Sequence, residues 1–358
     1  MNFAGFSVWF FSLLVLWDEI QVGFSQNDGG RKDYITWDDL IIEEYSFDFR
    51  EYVGKQQKVL LVDKNGRGDS LTVQGAVDMV PENNAERVKI HILPGIYREK
   101  VKIPASKPYI SLIGKQDQVS ETIITWNDKA SDRDKNGFFL GTWNSASVTV
   151  LSDYFCASGI TFENSVVSPG GGVDGYQAVA LRISGDKAMF YKVRFLGIQD
   201  TLLDQTGTHY FYQCFILGST DFIFGNAKSL YQDCRINAIG DDFAIAAHHR
   251  KFLNEDTGFS FLNCTVDGTG SVYLGRAWGI YSRIIYSYCK FNIDIRPGGW
   301  ENWGIPSRQK TVLFGEYQCG GRGADRRGRV PWSKALGYLE AKSFLDTTFI
   351  KGEQWLRL

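Results

Sequence analysis

A chain of 358 residues with 44% apolar composition can bury a large core, which admits one large domain or two of ordinary size. Charged residues make up 22% and the formal net charge is -2, so the broad basic field that nucleic-acid binding needs is absent and no nucleic-acid partner is expected. Six scattered cysteines without a CxxC pair exclude a small disulfide scaffold and supply no zinc-ligand pattern, so neither a metal nor an organic cofactor is expected.

In chain order, Phe6 to Trp17 is an almost unbroken apolar run, too short to span a bilayer comfortably, and Val22-Gly-Phe-Ser25 offers a small-residue cleavage region. Residues 1–25 therefore read as a signal peptide, which predicts a secreted, extracellular protein with no membrane segment after its removal. No Lys or Arg precedes the run and Asp18 and Glu19 come directly after it, which keeps an N-terminal anchor open as the alternative. Removal discards those two acids and leaves 39 basic against 41 − 2 = 39 acidic residues, a near-neutral protein. Residues 26–55 are polar and acidic without clear periodicity and read as a variable N-terminal extension, ahead of a main domain over 56–358. Apolar positions at helical spacing over 71–82, stopped by Pro81, predict a short helix that caps the N-terminal end of the main domain.

Beyond about residue 90, short runs of Val, Ile, Phe, Tyr and Thr bounded by Gly, Asn and Asp predict a strand-rich chain. A loose phrase of aromatic, polar, Cys or Val, polar, apolar recurs from Tyr191, Tyr212, Tyr231, Phe261 and Tyr286, with starts 21, 19, 30 and 25 residues apart. A period in the twenties is the mark of a solenoid, each unit stacking on the next because alone it cannot bury its apolar face. The expected fold is all-β, a right-handed parallel β-helix. Residues one coil apart would lie on adjacent strands, roughly 4.8 Å apart. Cys214 and Cys234, 20 residues apart, are then expected to form a disulfide. Asn263-Cys-Thr265 matches a glycosylation sequon, a weak signal.

Three polar phrases interrupt the strands: Gln177-Ala-Val-Ala-Leu181, Gln199-Asp-Thr-Leu202 and Asp221-Phe-Ile-Phe-Gly225. Gln177 to Asp200 is 23 residues and Asp200 to Asp221 is 21, about one coil each, so the side chains could form a ladder on three strands. Two carboxyls roughly 5 Å apart do not both ionise cheaply, which leaves one acid beside one carboxylate. That pair can attack an ester carbonyl, with glutamine amides holding the oxyanion. It can equally cleave a glycosidic bond. Structural turns, or a sugar-binding groove without chemistry, would use the same residues.

The chain resembles the plant pectin methylesterases at these phrases, and also at Gly95-Ile-Tyr-Arg-Glu99, Leu274-Gly-Arg-Ala-Trp278 and the closing Phe349-Ile-Lys-Gly-Glu-Gln-Trp355, a match from roughly residue 60 to Leu358. The resemblance implies a carboxylic ester hydrolase that releases methanol from methyl-esterified polygalacturonate in the cell wall. It assigns Asp221 as nucleophile, Asp200 as general acid and then base, Gln177 and Gln199 as oxyanion hole, and Arg276 as the partner that keeps Asp221 ionised. Thr142, Phe222 and Trp278, together with Gln177 and Arg276, would touch substrate. A Cys214–Cys234 disulfide is in keeping with the family. Pectin is the implied partner, a proteinaceous pectin methylesterase inhibitor is a second one the family admits, and a monomer is expected.

Two features depart from the pattern or stand outside it. His248 occupies the place of a common family glutamine, and either His248 or His249 could titrate near neutrality, although a polar lining without a titration effect is the preferred reading. The basic run Arg322, Arg326, Arg327 and Arg329 reads as a solvated turn, with contact to an anionic polymer as the minority reading.

Overall fold

The computed structural model describes residues 33–42, 58–169 and 172–358; the signal-peptide reading of residues 1–25 lies outside them. These residues build a right-handed parallel β-helix. Its described strands form three long parallel sheets of 8, 9 and 11 strands, and each central coil contributes one strand to each. One coil runs through Ala188–Tyr191, Arg194–Leu196 and Leu202–Asp204, and the next through Thr208–Tyr212, Phe215–Gly218 and Ile223–Gly225. Helix Val73–Met79 lies against the strands of the first coils and buries Val73, Ala76 and Val77, with Thr72 accepting a hydrogen bond from the Gly75 N–H as its N-cap. Among the described residues no helix is long and apolar enough to cross a membrane.

The coil is held by stacking along its axis. Phe190, Phe211, Tyr231, Phe261 and Tyr286 form a column inside it, with successive ring centroids 4.7, 4.5, 4.7 and 4.4 Å apart, close enough for offset stacking to add to burial. A single left-handed residue turns the chain out of the 11-stranded sheet in each coil: Lys192, Gln213, Asp233, Asn263, Tyr288 and Gln318 all have φ between 50° and 54°. The residue after each points inward, which stacks Val193, Cys214, Cys234, Cys264, Cys289 and Cys319 in register.

The expected Cys214–Cys234 disulfide is not formed: all six cysteines are free thiols. Adjacent strands about 4.8 Å apart hold the β-carbons beyond the mean disulfide separation of about 3.8 Å. Each of the five stacked thiols instead donates to the carbonyl of the aromatic one coil back, Cys214 to Phe190 at 3.5 Å and Cys234 to Phe211 at 3.4 Å, and so on along the stack.

Part of the segment read as a variable N-terminal extension is docked. Ile35–Thr36 pairs in parallel with Leu356–Arg357, Ile35 and Leu40 are fully buried, and Trp37 packs against Tyr191 and Tyr212. With the C-terminal turns around Phe344, Phe349 and Trp355, this segment covers the outer face of the 11-stranded sheet. The 9-stranded sheet is left with its outer face open, and there the polar phrases converge.

Candidate active site

Asp200 and Asp221 stand at the same corner of consecutive coils, two residues ahead of Leu202 and Ile223. Those two residues are paired in register, so the acids lie opposite one another on neighbouring coils. Both have left-handed backbones, with φ of 64° and 48°, a conformation that Asp tolerates better than most residues. The corner is pinned by the Asp200 N–H to the Thr220 carbonyl at 3.0 Å and the Asp221 N–H to the Ala244 carbonyl at 2.8 Å. Strand spacing of about 4.8 Å then sets the two carboxyls side by side. Both line a cleft of about 570 Å³ on the outer face of the sheet, and both are more than nine-tenths buried.

Arg276 reaches this pair from two coils further on. Its Nε donates to Asp221 Oδ1 at 2.7 Å and its Nη2 to Oδ2, the bidentate fork a guanidinium suits. Phe224, Ala247 and Arg276 are in register on successive coils, so the arginine side chain passes over Ala247 to reach Asp221. A methyl group at 247 leaves that path clear. Trp303 lies against the guanidinium, 3.9 Å from ring centroid to Cζ, and Glu301 Oε2 stands 3.9 Å from Nη1.

The two acids are held differently. Burial, and then the charge of Asp221, push the Asp200 carboxyl well above the ordinary carboxylate range, with Arg276 opposing weakly from a distance. Burial also raises Asp221, and the hydrogen bonds and charge of Arg276 pull it only part of the way back, so its net shift is upward but smaller than that of Asp200. The proton therefore belongs on Asp200 and the negative charge on Asp221.

Gln177 and Gln199 both border the cleft. Gln177 is not in line with the acids as its 23-residue spacing suggested. Leu181 pairs with Leu202, which puts Val179 opposite Asp200 and Gln177 two residues to one side. Its Oε1 accepts the Gly175 N–H at 2.9 Å, which leaves its amide nitrogen as the group for the cleft. Gln199 is buried, and its Oε1 has no protein partner among the described residues.

Thr142 and Trp278 line the cleft. Phe222 does not: it lies just ahead of the strand and is fully buried inside the coil, whereas in strand Ile223–Gly225 the side chains alternate, with Ile223 inward and Phe224 out into the cleft. His248 does not line the cleft either. It is fully buried, its Nδ1 accepts the Arg283 N–H at 3.3 Å, its Nε2 faces the Ala227 carbonyl at 3.3 Å, and burial holds it neutral with a pKa of about 3. His249 stacks on Trp278 instead, 3.8 Å between centroids.

Trp303, Trp143, Asp174, Phe243 and Ala247 also line the cleft and were not singled out from sequence. Trp303 had a usable signal: Arg276 pairs with Glu301, so Trp303 comes after Trp278 by the same coil offset of 25. The basic run resolves into ion pairs, Arg326 and Arg329 on buried Glu316, Arg327 on Asp325 and Arg322 near Asp294.

Comparison with known proteins gives a consistent picture. The family model described as Pectinesterase matches residues 59–353. The chain is 57% identical over 358 residues to Pectinesterase QRT1 of Arabidopsis thaliana, covering 95% of this chain and 93% of the relative. It is 45% identical to Probable pectinesterase 8 of the same plant, covering 83% and 76%. Among solved structures, the pectin methylesterase from carrot superposes with a TM-score of 0.74 at 36% identity, covering 83% of this chain and 94% of that one. The enzyme from Aspergillus niger gives 0.70 at 29% identity, covering 83% and 94%.

Proposed function

The chain belongs to the pectinesterase family, carboxylic ester hydrolases that demethylesterify pectin, and we propose that it does so through an acyl-enzyme on Asp221. The Asp221 carboxylate attacks the C6 carbonyl of a methyl galacturonate unit, forming a tetrahedral intermediate whose oxyanion accepts hydrogen bonds from the Gln177 and Gln199 amides. As the intermediate collapses, the C–O bond to the methoxy group breaks, Asp200 gives its proton to the departing oxygen, and methanol leaves. An anhydride between Asp221 and the galacturonate remains. The Asp200 carboxylate then takes a proton from water, whose oxygen attacks the galacturonyl carbonyl. The products are the free galacturonate and the original state of both aspartates.

The observation that supports this reading above the others is the asymmetry of the pair: one carboxyl clamped by a bidentate guanidinium, the other dry, beside a negative charge and without a hydrogen-bonding cation. A nucleophile needs the first environment and a general acid the second. Thr142, Trp278 and Phe224 would hold the sugar rings. The same reading makes residues 1–25 a signal peptide, residues 26–55 an N-terminal segment ahead of a catalytic domain over 56–358, and the protein a monomer secreted to the cell wall, with pectin as substrate and a proteinaceous inhibitor competing for the cleft. Purified protein should release methanol from highly methylated pectin without shortening the polymer, and Asp221→Ala should abolish release. A well-folded wild type that yields no methanol overturns the proposal.

A further inference from the structure

Each central coil passes from the 11-stranded sheet to the 8-stranded and then to the 9-stranded one, so the turn between the first two is the edge of the solenoid that does not border the cleft face. Asn263 stands on that edge, exposed, between strands Gly258–Leu262 and Thr265–Gly268. With Cys264 and Thr265 it forms the chain's single Asn-X-Ser/Thr, because no other asparagine has Ser or Thr two residues on. The left-handed corner by itself accounts for the asparagine, since φ there is 52° and Asn tolerates that region better than most residues. It does not account for Thr265, whose partners one coil before and one coil after are Arg235 and Lys290.

The corner is built to carry a large polar substituent. Side chains alternate through the turn, with Asn263 outward, Cys264 buried and Thr265 half-buried. Cys264 is a free thiol that donates to the Tyr231 carbonyl at 3.3 Å, so no disulfide engages the middle residue of the sequon. Asn263 Nδ2 donates to Asp233 Oδ1 on the preceding coil at 2.5 Å. A carboxamide nitrogen has two protons, so one can keep that bond after a sugar has replaced the other. On the following coil Tyr288 holds the equivalent corner, because Leu262 pairs with Ser287, and the tyrosine is 47% exposed. It lies about 4.8 Å further along the axis, where its ring can take the apolar face of a sugar joined to Asn263.

We propose that Asn263 carries an N-linked oligosaccharide whose first sugar lies over Tyr288, on the edge of the solenoid away from the cleft. This rests on the secretion reading above, because the sugar donor, a lipid-linked diphospho-oligosaccharide, is met on that route. In the transfer, Asn263 Nδ2 bonds to the anomeric carbon of the first sugar and loses one proton to the transferring enzyme. The bond from that carbon to the diphosphate oxygen breaks, and the lipid diphosphate leaves. Transfer to the unfolded chain needs the sequon alone, and the folded corner then keeps the glycan in solvent. Bulky and hydrated, the glycan shields the corner from Asp233 to Tyr288 and leaves the substrate face open.

The test expresses the full chain in plant cells as wild type, Asn263→Gln, Thr265→Ala and Thr265→Ser, and reads the secreted protein by gel mobility and peptide mass spectrometry. Wild type and T265S should yield the Asn263 peptide bearing an oligosaccharide, which an amide-cleaving glycosidase removes with conversion of Asn263 to Asp. N263Q and T265A should run as single faster bands without the glycan. N263Q should release methanol with the kcat/KM of wild type, because its corner does not border the cleft. Secreted wild type with a bare Asn263, or the same mobility shift in T265A, overturns the proposal. The wild-type peptide and the pair T265A and T265S decide the matter even where N263Q fails to fold. A chain that stays in the cytosol counts against the secretion reading. Placed behind an added cleavable leader, the same full chain still meets the donor, and a bare Asn263 there overturns the present proposal separately.

Discussion

Replacing Arg276 by alanine tests the central electrostatic claim, because the side chain touches Asp221 and lines the same cleft. The Asp221 side chain is 9% exposed and that of Arg276 27%, so the pair sits in a mostly dry wall. Removing one partner of such a pair costs about 3–5 kcal/mol, since the other charge is left buried and unpaired. At about 1.4 kcal/mol per decade, kcat/KM near neutrality should fall by roughly 10²- to 4 × 10³-fold. The direction of the pH effect comes from the causes. Burial pushes Asp221 up and the guanidinium pulls it down, so without Arg276 the carboxyl stays protonated to higher pH. The acid limb of the profile, which belongs to the coupled Asp200–Asp221 pair, should move toward alkaline pH. Arg276→Lys should show a smaller displacement, because an ammonium supplies charge without the fork. The assay is methanol release across a pH series at several pectin concentrations. A large loss of rate with an acid limb that stays in place would refute the argument and assign Arg276 to substrate binding alone.

Four further outcomes are expected. Ala247→Leu should place a side chain in the path from Arg276 to Asp221 and lower kcat/KM at least tenfold, with a fold confirmed by circular dichroism; wild-type kinetics would show that the path is wider than the register implies. His248→Gln should give a pH–rate profile superimposable on wild type, because burial keeps this imidazole neutral at every working pH. Six thiols should react in denaturant without reductant, and four would restore the disulfide. His209, fully buried, has Nδ1 2.5 Å from Asp204 Oδ1 and Nε2 2.8 Å from the Gly185 carbonyl; burial pulls its pKa down, but these partners outweigh it and the net shift is upward. Its stabilisation is therefore complete below the unfolded value of about 6.5 and fades as pH rises through the folded value. Urea unfolding of wild type should weaken over that range relative to His209→Gln, and parallel stability curves would contradict the pairing.

The solenoid was legible because its repeating corner has a chemical requirement. One left-handed residue and then one small inward residue write themselves as Lys192-Val193, Gln213-Cys214, Asp233-Cys234 and Asn263-Cys264, and the cysteines keep register even where the coil changes length. The aromatic that opens each phrase is less faithful. Tyr191 pairs with Tyr212 and Tyr212 with Gln232, whereas Tyr231 belongs to the inner column with Phe190 and Phe211, so the phrase slips by one residue and reverses the face. Spacing alone cannot show this, because a one-residue shift on a strand exchanges inside for outside. The docking of Ile35–Thr36 was hidden for another reason: a two-residue strand has no periodicity, and its partner Leu356 lies at the far end of the chain.

The juxtaposition of the two aspartates was legible by the same logic, and the rest of the cleft was not. Twenty-one residues separate Asp200 from Asp221 and also Leu202 from Ile223, so here sequence distance equals one coil. The next two coils are longer, with Ile223 opposite Ala246 and Ala246 opposite Gly275, offsets of 23 and 29, because loops after the strands lengthen while the strands stay in register. Arg276 is thus 55 residues from Asp221 in sequence and two strands away in space, and only resemblance to a family could single it out. The same arithmetic accounts for the error over Gln177, whose 23-residue spacing from Asp200 mimics a coil that is in fact 21. Even pitch places the two acids, and uneven loops decide what reaches them. Both conditions bear on chemistry: the pitch brings the carboxyls close enough for one to hold the proton, and a single methyl group at Ala247 lets Arg276 choose which one does.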